Sequence, residues 1–133
     1  MRALVIDDSR VMRGILRRFL EQLRYEVGDA ADGSAGLEQL RRSARPEVVL
    51  VDWNMPGLSG LEFVQAVRAQ PDLAEVRLMM VTTENERERV VEALEAGADE
   101  FLMKPFTVEA VREKLELLGL PCPGQHENNP CVS

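Results

Sequence analysis

Five short apolar runs alternate with segments of helical period, and this alternation constrains the fold more than any other property of the chain. The runs lie at 2–6, 25–30, 47–51, 77–81 and 100–103 and are rich in Val, Leu, Ile and Met, as strands buried on both faces should be. After the first run, Val11, Met12, Ile15, Leu16, Phe19, Leu20 and Leu23 recur with the spacing of one wide helical face. Leu37 and Leu40 mark a second helix. Ser59-Gly60-Leu61-Glu62 reads as a capping box opening a third, which buries Leu61, Val64 and Val67. Val90, Val91 and Leu94 form the thin apolar face of a fourth, ended at Gly97. Thr107 caps a fifth, where Val108, Val111, Leu115 and Leu118 face inward until Gly119. Strands and helices alternating over short connections predict an α/β fold, a doubly wound parallel sheet of five strands with right-handed crossovers.

In such a sheet the carboxyl ends of the strands share one edge, where ligands bind. Asp7-Asp8 follows the first run, Asp52 the third, Thr82-Thr83 the fourth and Lys104-Pro105 the fifth. Two carboxylates ~4 Å apart repel by ~4 kcal/mol at an effective dielectric of 20. A cluster of Asp7, Asp8 and Asp52 therefore survives by binding protons or by recruiting a cation. The candidate donors are all oxygens, which favours Mg²⁺, with Mn²⁺ as a substitute, over Zn²⁺. Mg²⁺ keeps several waters, so two carboxylates and one backbone carbonyl at Asn54 would suffice to hold it. A solvated turn with helix-capping acids is the other reading of Asp7-Asp8. Beyond Asp52, Pro56 and Gly57 fit the central positions of a type II turn.

A carboxylate beside Mg²⁺ is a competent nucleophile towards an activated phosphoryl group, giving an aspartyl phosphate on Asp52. Such transfer needs in-line positioning and neutralised equatorial oxygens. The metal, Lys104 and the Thr82 hydroxyl can each take one. Of the 16 basic residues only Lys104 and Lys114 are lysines, so a compact point charge stands at the strand end in a chain that otherwise uses Arg. A cis bond between Lys104 and Pro105 would fix how that side chain enters the site.

Composition narrows the function classes. A net charge of −7 and a pI near 4.8 disfavour non-specific nucleic-acid binding, and no basic run would grip an anionic membrane. The first apolar run is too short for a signal peptide or a span. Cys122 and Cys131 both lie near the end of the chain, so no disulfide scaffold is indicated and a cytoplasmic location is expected. From Leu120 the chain loses its periodicity, giving one domain over 1–119 and a flexible tail over 120–133. Cys122, His126 and Cys131 within that Pro-rich tail are a weak metal signature.

Asp7-Asp8, Asp52, Thr82 and Lys104-Pro105, in that order and spacing, resemble the receiver domains of two-component response regulators. Asp52-Trp53-Asn54-Met55-Pro56-Gly57 is especially similar to the CheY-like chemotaxis receivers. The resemblance covers residues 1–119 and implies a flavodoxin-like (βα)5 fold with strand order 2-1-3-4-5. It implies that Asp52 accepts phosphate from the phosphohistidine of a sensor histidine kinase. Asp7, Asp8, Asp52 and the Asn54 carbonyl would hold Mg²⁺. Thr82 and Phe101 would form the switch, with the ring filling space vacated by the hydroxyl. Phe101 lacks the phenol oxygen of a Tyr, and Thr83 is bulkier than the Ala or Gly common at its position. Asn54 and Glu84 would tune phosphate lifetime.

On this reading the chain is a stand-alone, monomeric regulator and not an enzyme beyond its own phosphotransfer and dephosphorylation. The fourth helix, with its thin apolar face and the solvent-seeking Glu86-Arg87-Glu88-Arg89, would shift together with the fifth strand and helix. The target would be a protein, such as a flagellar motor switch or a phosphorelay component, with no direct nucleic acid or membrane partner. Rival readings are a receiver cut from a DNA-binding regulator, a flavodoxin-like flavin or nucleotide binder, and a Mg²⁺-dependent aspartyl phosphatase of the haloacid-dehalogenase type. The second lacks a glycine-rich phosphate loop after the first run. The third would place its two acids as Asp-x-Asp, whereas here they are adjacent. A receiver acting by binding alone is disfavoured because every catalytic position is filled.

Overall fold

Each apolar run forms a strand, and each periodic segment a helix. The structure, a computed structural model, describes residues 1–42, 45–55, 57–83 and 87–120. In chain order the elements are β1 (Arg2–Ile6), α1 (Arg10–Gln22), β2 (Glu26–Ala30), α2 (Gly33–Arg42), β3 (Val48–Asp52), α3 (Gly60–Arg68), a 3-10 turn (Pro71–Leu73), β4 (Arg77–Thr82), α4 (Arg87–Ala96), β5 (Glu100–Met103) and α5 (Val108–Leu117). The strands are all parallel in the order β2-β1-β3-β4-β5, so the sheet is the flavodoxin-like arrangement expected. Asp52 and Thr82 are the last residues of β3 and β4 and not the first beyond them.

Side chains on successive strand residues point to opposite faces. Leu4, Ile6, Val49, Val51, Leu78 and Met80 accordingly join one core, with Leu40, Phe63, Val64, Val67 and Ala93 from α2, α3 and α4. Ala3, Val5, Val48, Leu50, Met79, Val81 and Leu102 join the other, with Leu16, Leu20, Val111 and Leu115 from α1 and α5. This explains why β1, β3 and β4 carry unbroken apolar stretches that do not alternate, while the edge strand β2 is only partly buried. Leu120, assigned to the tail by its sequence, still packs against the second core. No helix among the described residues is long and apolar enough to cross a membrane.

Caps fix the helix starts near the sheet's carboxyl edge. The Ser9 hydroxyl accepts from Met12 N at 3.2 Å, and the Thr107 hydroxyl from Ala110 N at 3.1 Å. At α3 the capping box is complete: Ser59 N donates to Glu62 Oε1 at 2.9 Å and Glu62 N to Ser59 Oγ at 3.2 Å. Gly60 lets α3 begin directly against the loop after β3, since a Cβ there would lie 2.9 Å from Trp53 Cα.

Two apolar faces differ from their expected form. Val11 is 73% exposed, so the buried stripe of α1 begins at Met12. At about 100° per residue Val11 lies about 140° round the helix from Leu16, away from the sheet. In α4 the buried pair is Val90 and Ala93, while Val91 and Leu94 are 58% and 41% exposed. Val91 follows Val90 by one residue and so points about 100° away. The small Ala93 carries the contact instead, making the face thinner than the sequence suggests. In α3, Phe63 is fully buried and Leu61 only partly so.

One guanidinium joins several of these connections. Arg68, ending α3, donates from Nε to Gly97 O at 2.9 Å, and from one terminal nitrogen to Leu73 O at 3.2 Å and Ala74 O at 3.3 Å. Its other terminal nitrogen reaches Val76 O at 2.9 Å and Asp99 Oδ2 at 2.8 Å. That same Asp99 oxygen accepts from Leu78 N at 2.8 Å. Gly97 adopts φ 126°, and a Cβ there would lie 2.6 Å from Arg68 Cγ, so the turn after α4 requires glycine twice over.

Candidate functional site

The carboxyl edge of the sheet gathers residues that are far apart in sequence. Asp7 leaves β1 with its N–H on Ala30 O at 3.2 Å and its Oδ1 accepting from Ser9 N at 2.8 Å. Asp52 ends β3, which lies between β1 and β4. One oxygen from each of Asp7, Asp8 and Asp52 falls within a set whose members all lie within 4.8 Å of one another. Asp7 and Asp52 are buried and Asp8 is exposed. Lys104 enters from β5, its Nζ 3.2 Å from Asp52 Oδ1 and 4.0 Å from Asp7 Oδ2. The backbone that carries it is fixed by Lys104 N donating to Thr82 O at 2.7 Å, and the Lys104–Pro105 bond is cis.

Electrostatically the group is short of positive charge. Burial, and then the charge of Asp7, push the Asp52 carboxyl up to about 6, although Lys104 pulls it down. Burial also raises Asp7, against the opposing Ser9 N–H and Lys104. Two buried side-chain polar atoms among the described residues lack a hydrogen-bond partner, Asp7 Oδ2 and Thr82 Oγ1, and both belong to this edge. Unsatisfied polar atoms are rare in protein interiors and need a reason. Oxygen-only donors with an orphaned carboxylate oxygen fit a hard divalent cation such as Mg²⁺. An orphaned hydroxyl at the end of β4 fits an incoming anionic oxygen.

Around this centre, Trp53 and Met55 are buried, with Trp53 N donating to Val81 O at 3.1 Å and Trp53 O accepting from Gly60 N at 3.1 Å. Asn54 is exposed between them, and Gly57 has φ 73°. Thr83 is partly buried next to Thr82. Pro56, Glu84, Glu86, Cys122, His126 and Cys131 lie outside the described residues. Phe101 is half-buried on β5, further from the carboxylates. A cleft lined in part by Arg2, Leu4, Gly28, Gln39 and Pro46 opens where β1 begins, away from the acidic edge.

Sequence reasoning missed two contributors. Arg13, one turn into α1, donates to the Asp7 carbonyl at 2.7 Å and so pins the turn that presents both acids. Its only signal was a basic residue one helical turn beyond the Ser9 cap. Lys114, on α5, places its ammonium 4.4 Å from the centre of the Phe101 ring. Its scarcity as a lysine was visible, but its target was not.

The family model for the response regulator receiver domain matches residues 3–116. Chemotaxis protein CheY1 of Helicobacter pylori is 41% identical over 119 residues, which cover 89% of this chain and 96% of that protein. Chemotaxis protein CheY of Pseudomonas aeruginosa is 37% identical, covering 87% of this chain and 94% of its own length. Among solved structures, chemotaxis protein CheY4 of Vibrio cholerae aligns with a TM-score of 0.82 at 37% identity, covering 88% of this chain and 97% of that one.

Proposed function

This chain belongs to the response regulator receiver family, and from that membership we propose that it is a phosphorylation-controlled switch with Asp52 as its phosphoacceptor. The observation that carries this reading is the meeting of three carboxylates and one ammonium at the end of β3. An Asp52 oxygen attacks the phosphorus of a phosphohistidine on a sensor kinase. A P–O bond forms as the N–P bond breaks, and its electron pair returns to the imidazole. Lys104 exchanges its carboxylate contact for a phosphoryl oxygen, and the Thr82 hydroxyl turns to another. Asp7, Asp8, Asp52 and the Asn54 carbonyl are the groups that would hold Mg²⁺. When bound, that ion supplies further neutralisation of phosphoryl charge. Positioning and electrostatics suffice for this chemistry, so no acid–base residue is required. Asn54, Thr83 and Glu84 tune how donors reach the site and how long the phosphate lasts.

The phosphoryl group adds roughly one and a half to two negative charges at one point. Withdrawal of the Thr82 hydroxyl lets the Phe101 ring move inward, changing the surface formed by α4, β5 and α5. The shallow seat of α4 on Val90 and Ala93 supports it as the element that shifts. Likeness to chemotaxis proteins supports a protein target such as a flagellar motor switch, or a phosphorelay component, met by a cytoplasmic monomer. Intact-mass analysis after incubation with Mg²⁺ and acetyl phosphate tests the reading. One alkali-labile phosphoryl group is expected in the wild type and none in Asp52→Asn. Equal modification of both would refute it.

A further inference from the structure

Phe101 sits on an edge strand with no polar atom at the tip of its ring, so no hydrogen bond can anchor that tip. Its residue pairs across the ladder with Met80, and Thr82 lies two residues further along β4, so all three face the same layer of the sheet. The ring packs there against the core that includes Ala93. Lys114 belongs to α5, on the opposite layer, yet its ammonium reaches round the free edge of β5 to lie over the ring at 4.4 Å from the centroid. That distance is well inside the range of a cation–π contact.

The ammonium is itself tied down. Lys114 Nζ lies 3.2 Å from Glu100 Oε1, and the same oxygen accepts from Phe101 N at 3.0 Å. The two side chains are only 25% and 19% exposed, so water screens them incompletely. One carboxylate oxygen therefore grips the backbone of Phe101 and also the cation over its ring.

We infer that Lys114 is a positioning residue for Phe101, holding the ring in its half-buried place and so setting the balance between the two states of the switch. The inference rests on the switch reading above. A clamp on the half-buried ring opposes its inward move. Linkage requires that whatever opposes the inward state also weakens occupation of Asp52 by a phosphoryl group, by a factor no larger than the shift in that balance. Removing the cation should therefore tighten binding of a phosphoryl mimic at Asp52, although the contacts of Lys114 are with Glu100 and Phe101 and not with the carboxylates of the site.

The test is titration of the full chain with beryllofluoride and Mg²⁺, followed by the fluorescence of Trp53, the one tryptophan and the neighbour of Asp52. Lys114→Met, which keeps the stem and removes the charge, is expected to bind about two- to tenfold tighter than the wild type. Lys114→Arg keeps a cation and should restore wild-type affinity. Unchanged affinity in Lys114→Met, or a Lys114→Arg variant that behaves like it, would overturn the inference. A second measurement does not depend on Asp52. In chain labelled with 4-fluorophenylalanine, the Phe101 resonance, identified by its loss in Phe101→Leu, should shift in Lys114→Met without any mimic present. An unmoved resonance would also overturn it. Failure of the wild type to bind beryllofluoride through Asp52 would instead count against the phosphoacceptor reading.

Discussion

Asp52 ends a strand whose five residues are all buried, and its carboxyl is pushed up to about 6 by that burial and by the charge of Asp7. A carboxyl that binds its proton more readily when folded stabilises the protein as pH falls from about 6 towards its ordinary 3.8. Above about 6 that contribution is lost, because the buried group is then charged. In metal-free buffer at neutral pH, Asp52→Asn should therefore be more stable than the wild type by roughly 1–3 kcal/mol. Urea unfolding across pH checks this, and the advantage should shrink as pH falls through 6. A variant less stable than the wild type at neutral pH would show that the Lys104 contact outweighs the repulsion. Asp7, Asp8, Asp52, Thr82 and Lys104 were legible as a cluster because each ends or follows an apolar run, where residue type alone speaks. Arg13 and the Lys114–Glu100–Phe101 group were not, because their meaning depends on which carbonyl or ring lies beside them in space.

At the scale of elements, Arg68 uses all its donor nitrogens to tie the end of α3 to the 3-10 turn, the start of β4 and the turn after α4. It leaves α4 held firmly where it ends, while Val90 and Ala93 give a shallow seat before that. Arg68→Ala would strand partly buried backbone carbonyls of Gly97, Leu73 and Val76 and leave the exposed Asp99 carboxylate without its cation. A loss of about 2–3 kcal/mol is expected in urea unfolding, with little recovery in Arg68→Lys, whose point charge cannot span the same partners. A loss below about 0.5 kcal/mol would mean that water replaces these bonds freely. The helices were legible as elements because their apolar spacing is strong. Which apolar residues face inward was less so: Val11 and Val91 satisfy a loose spacing but lie on the wrong side of the helical turn. The 3-10 turn at Pro71–Leu73 has too few residues to show any period.

For the molecule as a whole, strand order converts a linear pattern into a site. Asp7, Asp52, Thr82 and Lys104 stand on β1, β3, β4 and β5 or just past them, and those four strands are consecutive in the sheet. Alternating strands and helices made the parallel sheet legible, and right-handed crossovers left few orders. The order itself came from likeness to a family, since nothing in the spacing of apolar residues distinguishes one neighbour from another. The central claim is that this edge exists to carry a phosphoryl group on one carboxylate. Borohydride reduction tests it most directly, because it converts an aspartyl phosphate into homoserine, which marks the position permanently. After treatment with Mg²⁺ and acetyl phosphate, tandem mass spectrometry of the reduced protein should find homoserine at position 52 and at no other aspartate. Homoserine at Asp7 or Asp8, or none anywhere, would contradict the claim.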